Sequence, residues 1–390
     1  MATRLATPDA IPAITDDYLD WLTRELASHA QAYDRSGEFP RAPFDLLARE
    51  GLIGLTVRPE LGGRGANLSE ALRVLAAVAK GEPSTALILF MTYHYHANPH
   101  RAQGWPAAIY ERLAADAVAG RGLIGGLRVE PELGTPVRGG LPVTIARRTA
   151  DGWAISGTKI YSTGSTGLDW YSVWAKTDEE EPRVGNFLVK AGSPGVTIEP
   201  AWDHLGMRAT VSHAVHFADT PTPLDHAVDV RLPQQWAAAA GDPSLAIWNA
   251  LAISTIYDGV ARAARDWLAP YLNDRVPSNL GASLATLPRV QEKFGEIEAL
   301  LQVNAALIRD AAARYDAGDP PGAVAVNNIK YVATANAIRA VEIGLDLTGN
   351  PGLSRNNPLE RHYRDVLCSR IHSPQTDTIL VTAGRAALGQ

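Results

Sequence analysis

A single cysteine, Cys368, stands among 390 residues, which excludes an internal disulfide and leaves no set of thiolates to build a metal site. Long apolar runs are missing as well. The stretch Leu87-Ile-Leu-Phe-Met91 is far too short to span a bilayer, and the first ten residues lack the continuous apolar segment of a secretory signal. Nor is there an excess of positive charge: the formal net charge of −6 disfavours non-specific attraction to nucleic acid. Internal repeats and low-complexity tracts are absent too. A globular protein of the reducing cytoplasm is expected, with no nucleic-acid and no membrane partner. Cys368 reads as a small buried apolar residue rather than a nucleophile.

What is present is ordinary globular material, 46% hydrophobic and 20% charged, arranged in three stretches of different period. Leu19, Leu22 and Leu26 share one face of a helix whose acidic start, Asp16-Asp17, suits an N-terminus. Further helices are expected from Phe44 to Gly51 and from Ser69 to Lys80, with the glycine-rich Pro59–Gly65 between them as a loop. From about Leu123 the period shortens to two, at Val143 and Ile145, Trp153 and Ile155, Tyr171, Val173 and Ala175, Val196 and Ile198, Val215 and Phe217. Past Pro233 helical spacing returns, at Ile297, Leu300, Leu301, Leu307 and Ile308, then at Ile329, Val332, Ala333, Ala340, Ile343 and Leu347. The expectation is an α+β chain with a helical domain over 1–121, a β domain over 122–230 and a helical bundle over 231–390.

Several short segments occur in a telling order. Gly51-Leu-Ile-Gly-Leu precedes Pro59-Glu-Leu-Gly-Gly-Arg-Gly. Then come Glu130-Pro-Glu-Leu-Gly-Thr135, Gly157-Thr-Lys-Ile-Tyr-Ser-Thr163, Leu205-Gly-Met-Arg-Ala-Thr-Val-Ser212 and Arg361-His-Tyr-Arg-Asp365. Together they resemble the acyl-CoA dehydrogenase superfamily over nearly the whole chain. The resemblance implies an N-terminal helical domain, a β-barrel-like middle domain and a C-terminal four-helix bundle. It also implies a flavin, FMN or FAD, between the last two, completed by a second subunit of a homodimer or homotetramer. Tyr161 and Thr163 match the residues that lie against the flavin ring, and Thr135, Arg275, Gly349 and Asn350 match other cofactor contacts. The element that cradles a dinucleotide pyrophosphate becomes Asp346-Leu-Thr-Gly-Asn350, which sets a carboxylate where a neutral donor belongs, and the Arg-x-x-Phe-Gly element becomes Arg275-Val-Pro-Ser-Asn-Leu-Gly281; both changes weaken the case for FAD and raise that for FMN or a loosely held flavin. Read without the resemblance, Tyr161 and Thr163 are good strand residues and Asp346 solvates a helix face. Arg364 and Asp365 match the family's Arg-Asp pair and are expected to be structural, paired through charge-assisted hydrogen bonds.

The departures carry the functional reading. In the resemblance a glutamate follows Asp365 by eight residues and removes the α-proton of a thioester; here that position is Ser373. An alternative base position falls on Asn249. A hydroxyl and an amide are not general bases at neutral pH. Asp258 is close in sequence but reads as a helix-surface acid. His372, just before Ser373-Pro374, resembles the histidine of the superfamily's flavin-dependent monooxygenases, and an imidazole titrating near neutrality can handle protons during oxygenation. In Thr92-Tyr-His-Tyr-His96, His94 is the second catalytic candidate; Tyr93 and His96, with Asn249 and Arg208, are candidates for substrate contacts. No metal site is expected, since carboxylate and cysteine partners are not near these histidines. The leading expectation is a monooxygenase that uses reduced flavin from a separate reductase, and O2, to oxygenate sulfur, nitrogen or electron-rich carbon in a small organic substrate. His372, His94 and Ser373 are its catalytic candidates. An acyl-CoA dehydrogenase or oxidase with a relocated base, and a catalytically silent flavoprotein, are the alternatives.

Overall fold

A threonine side chain starts the first helix: Thr15 accepts a hydrogen bond from the Tyr18 amide, and Asp16 and Asp17 lie in the first turn of α1 (Asp16–Ser36), where they favour the helix dipole. The computed structural model describes residues 12–98, 104–134, 140–238 and 244–390. Helices α2 (Arg41–Arg49), α3 (Leu68–Gly81), α4 (Pro83–Ala97) and α5 (Ala107–Val118) complete the first helical layer. The start of α3 is capped twice. Asn67 accepts from the Glu70 amide, while Asp316, far along the chain, accepts from the Leu68 and Ser69 amides at 3.0 and 2.9 Å. Asp316 therefore ties the bundle to the N-terminal helices.

Eight strands form one sheet in the order β6-β7-β3-β2-β4-β5-β8, with β1 (Ile124–Leu127) pairing parallel to β4. The others are β2 (Ile145–Arg148), β3 (Gly152–Lys159), β4 (Trp170–Thr177), β5 (Val184–Lys190), β6 (Val196–Glu199), β7 (Ala214–Pro223) and β8 (Ala227–Arg231). Alternation foretold β2, β3, β4, β6 and β7. It missed β1, which contains two glycines, β5, whose first six residues are all buried and so carry no period of two, and the short β8, which has a single buried residue. Two of the ordered sequence segments meet here: Lys159, fully buried, donates to Glu130 at 2.6 Å and to the Trp174 carbonyl. Such a pair costs several kcal/mol to break, because the survivor is left charged and unpaired.

After α6 (Pro233–Ala238) the bundle consists of α7 (Ser244–Asp274), α8 (Pro288–Asp316), α9 (Ala323–Thr348) and α12 (Thr376–Leu388), with the short α10 (Asn350–Leu353) and α11 (Leu359–Leu367) between. α4 packs against α7, against β1 and against the 3-10 turn Arg208–Thr210, so one helix touches both of the other layers. Among the described residues no helix is long and apolar enough to cross a membrane.

Candidate functional site

Ser373 and Asn249, 124 residues apart, lie in contact: the Asn249 amide donates to the Ser373 carbonyl at 2.9 Å. The fold thus brings together the two positions where sequence reasoning sought a base, and both are neutral. The neighbouring carbonyls are taken as well. Lys330 of α9 donates to the carbonyls of His372 and Pro374 at 2.5 and 2.6 Å, so three consecutive carbonyls accept from two side chains on different helices. Lys330 is buried, which lowers its ammonium pKa to about 8 and leaves it charged at pH 7.

The imidazole of His372 faces Tyr257 of α7, whose hydroxyl lies 2.6 Å from Nε2. Burial pushes the Tyr257 phenol well above its ordinary value, so it keeps its proton and can donate to Nε2, the arrangement that places the ring proton on Nδ1. Burial, and then the charge on Lys330, push His372 down to about 3. The expectation of an imidazole titrating near neutrality is corrected: His372 is a fixed neutral imidazole, and its Nδ1–H has no hydrogen-bond partner among the described residues. Tyr257 and Lys330 were missed in the sequence. A lysine at an otherwise buried helix position was the available signal for one of them.

Of the two readings of Tyr161, the strand residue does not hold. Tyr161 lies beyond β3 with φ 54°, in the left-handed region, and is 55% exposed, its ring edge-on to Trp202 and His204. Met207 (φ 53°) and Val211 (φ 41°) flank the nearby 3-10 turn in the same unusual conformation. Thr163 accepts from Ser212 at 3.3 Å, and the Ser162 hydroxyl between Tyr161 and Thr163 is buried with no partner among the described residues. An exposed ring held in a strained backbone, beside hydroxyls only partly satisfied, fits a flat heterocycle with polar edges.

Other candidates are placed elsewhere. Tyr93 is fully buried in the hydrophobic core and its hydroxyl donates to the Leu52 carbonyl at 2.7 Å, so it is a packing residue and not a substrate contact. His96 is buried against Tyr110, also inside the helical layer. Arg208 donates to the backbone of Asp34 and His204, which corrects it from substrate ligand to a clamp between α1 and the β domain. His94 is half-buried on α4, with its ring beside Phe90 and Tyr95. Asp258 is corrected from surface acid to buried acid. It accepts from Arg262 at 2.6 Å and from Asn304 at 3.0 Å, so both its oxygens are committed within the bundle. Arg364 and Asp365 are structural but are not joined to each other: Arg364 holds both oxygens of Asp34, and Asp365 accepts from the Met207 amide at 2.6 Å.

The remaining cofactor candidates lie at the other end of the bundle. Asn249 and Asp274 are separated along α7 by roughly 38 Å at the helical rise, and Arg275 follows Asp274. Gly349 and Asn350 follow the end of α9, where Gly344 lies beside Leu268 of α7, so they share that far end. Thr135 lies outside the described residues.

Residues 9–107, 129–220 and 248–384 match, in turn, the N-terminal, middle and C-terminal domains of acyl-CoA dehydrogenase. A putative acyl-CoA dehydrogenase, YdbM of Bacillus subtilis, is 29% identical over 359 residues, covering 92% of each chain. L-evernosamine nitrososynthase of a Micromonospora species is also 29% identical, over 395 residues, covering 95% of this chain and 89% of that one. Among solved structures, FMN-bound TdsC of Paenibacillus sp. A11-2, a dibenzothiophene monooxygenase, superposes with a TM-score of 0.85 at 25% identity over 96% of both chains.

Proposed function

The chain belongs to the acyl-CoA dehydrogenase family, and from that premise we propose that it is a flavin-dependent monooxygenase rather than a dehydrogenase. The observation that carries this reading is the Ser373–Asn249 contact, in which both positions expected to hold a proton-abstracting carboxylate are neutral. The nearby Asp258 is spent on Arg262 and Asn304. The flavin, FMN in preference to FAD, would supply two electrons for splitting O2, one oxygen atom going to the substrate and the other leaving as water. FMN is favoured because Asp346 opens the segment that would face a pyrophosphate, and because TdsC binds FMN.

The residues of this chain have definable parts in that chemistry. Tyr161 offers a face and Thr163 a hydroxyl to the flavin. His372, kept neutral and oriented by Tyr257 and Lys330, presents Nδ1–H as a fixed donor to an oxygen or a substrate heteroatom. The helical layers exclude water, and His94 of α4 lies on the helix that joins them. A second copy of the chain supplies Arg275, Gly349 and Asn350, so a homo-oligomer is the working form. Reduced flavin comes from a separate reductase, and the single cysteine suits the reducing cytoplasm. The names of the nitrososynthase and of TdsC favour oxygenation of nitrogen or sulfur. The putative dehydrogenase YdbM favours the second reading, oxidation of an acyl thioester.

Anaerobic protein loaded with reduced FMN or FAD and then mixed with O2 tests both readings in a stopped-flow spectrometer. The monooxygenase predicts a transient absorbance that outlasts reoxidation of free reduced flavin, and 18O from O2 in the product. Rapid bleaching of oxidised flavin by an acyl-CoA, with no such transient, overturns it.

A further inference from the structure

Two arginines three residues apart on α11 live in opposite circumstances. Arg364 makes five hydrogen bonds, to both oxygens of Asp34, both oxygens of Glu360 and the Leu205 carbonyl. Arg361 is only 8% exposed and makes none among the described residues, its Nε being fully sheltered. Buried Glu82 and Asp365 are close enough to feel its charge, but Glu82 spends its oxygens on the start of α4 and Asp365 accepts from Met207. A buried guanidinium with compensating charge nearby and no hydrogen bonds is costly, and an oxyanion is the ligand that satisfies it best.

Arg361 lies where two hollows meet, and Gln31 of α1 lines both as well. One, of about 370 Å³, is lined by five arginines, Arg35, Arg208, Arg355, Arg361 and Arg364, against two carboxylates, Asp34 and Glu360. Both carboxylates are held by Arg364, so a formal excess of three positive charges remains on a chain whose net charge is −6. The other, of about 380 Å³, has Ala27, Ala263 and Trp267 in its wall. Its lining also includes buried His362, whose Nδ1 has no partner among the described residues. Burial holds His362 well below its ordinary pKa, so it is neutral.

We propose that this groove between α1 and α11 binds a small phosphate monoester, with the phosphate among Arg361, Arg35 and Arg355 and the organic body against Trp267. The lining of the groove shares no residue with the Tyr161 and His372 groups, and the proposal does not depend on which reaction the flavin site runs. Binding there fixes α11, whose Asp365 and Arg364 hold the β domain and α1, so an occupant stabilises the junction of all three layers.

The test is isothermal titration of the flavin-loaded full chain with inorganic phosphate, phenyl phosphate and phenol in turn. Phenyl phosphate is expected to saturate one site per chain about tenfold more tightly than inorganic phosphate, and phenol not to bind. Arg361→Gln is expected to weaken phenyl phosphate by about tenfold, and Arg355→Gln, at an exposed position, by about threefold, both with flavin content unchanged. If Arg361→Gln does not fold, Arg355→Gln and Arg35→Gln decide. The proposal is overturned by absence of saturable binding, by displacement of the flavin, or by folded variants that bind as the parent does. An equal affinity for the two phosphates removes the organic body from the proposal.

Discussion

The two ends of the helical bundle are built to different standards. At the near end, Tyr257 meets His372 Nε2, and Lys330 and Asn249 pin the His372–Pro374 backbone at three successive carbonyls. At the far end, Arg275, Asp346 and Asn350 are exposed, and a side chain added at Gly349 would meet nothing within 4 Å. The difference teaches that the His372–Pro374 loop is held by the chain's own side chains, while the far end is free to meet another surface, as the proposed shared cofactor site requires. A pinned loop gives geometry before any ligand arrives. An exposed end gains its geometry only on association.

Substitutions at the near end should therefore hurt most. Lys330→Met strips the donor from two half-buried carbonyls, and about 2 kcal/mol of stability should go with it, measured by urea unfolding. Oxygenation should fall by roughly 100-fold, because the imidazole is no longer held in place. Unchanged stability in this variant would break the comparison at its root. The same lysine gives a pH signature. Its pKa is lowered to about 8 in the folded protein, so between about 8 and its ordinary value the unfolded chain binds more protons, and stability should rise with pH across that window. Lys330→Met should lack that rise.

Tyr257→Phe is milder. It removes the donor that fixes the His372 tautomer, and a roughly tenfold loss in kcat is expected with flavin still bound. Unfolding should change by no more than about 1 kcal/mol. Full activity in this variant would free His372 from the arrangement. Arg275→Gln, at the far end, should leave stability alone and raise the flavin dissociation constant by about fivefold, read by fluorescence on the assembled oligomer. The effect must vanish in a monomeric form, since no neighbour then contributes the residue. Smallest of all, Asp346→Gln should shift the preference between FAD and FMN toward FAD by about threefold. A shift the other way would remove Asp346 from the choice of cofactor.

Much of the fold was legible because periodicity survives wherever one face is buried and the other wet. α1 begins at the expected acidic turn, and α3 (Leu68–Gly81) falls close to the expected Ser69–Lys80. β5 was invisible, since both its faces are buried and alternation disappears. Of the site, the residues aligned with family motifs were found, but their roles were harder to read. Arg208 and Tyr93 had suitable chemistry, yet their polar atoms are consumed by backbone groups of Asp34, His204 and Leu52. His372 was located, while its charge state was misjudged, because a pKa depends on burial and on a lysine 42 residues away in sequence.

The sequence by itself determined the family, the order of helical and β layers, and the absence of a carboxylate at position 373. These follow from residue identity and local spacing, which need no coordinates. Only the tertiary structure decided that Ser373 meets Asn249, that His372 is neutral, that Asp258 is spent, and that Arg361 is buried without a partner. Hydrogen bonds and desolvation act over a few ångströms between residues distant in the chain, so only the folded packing fixes which groups satisfy one another and which remain for a ligand.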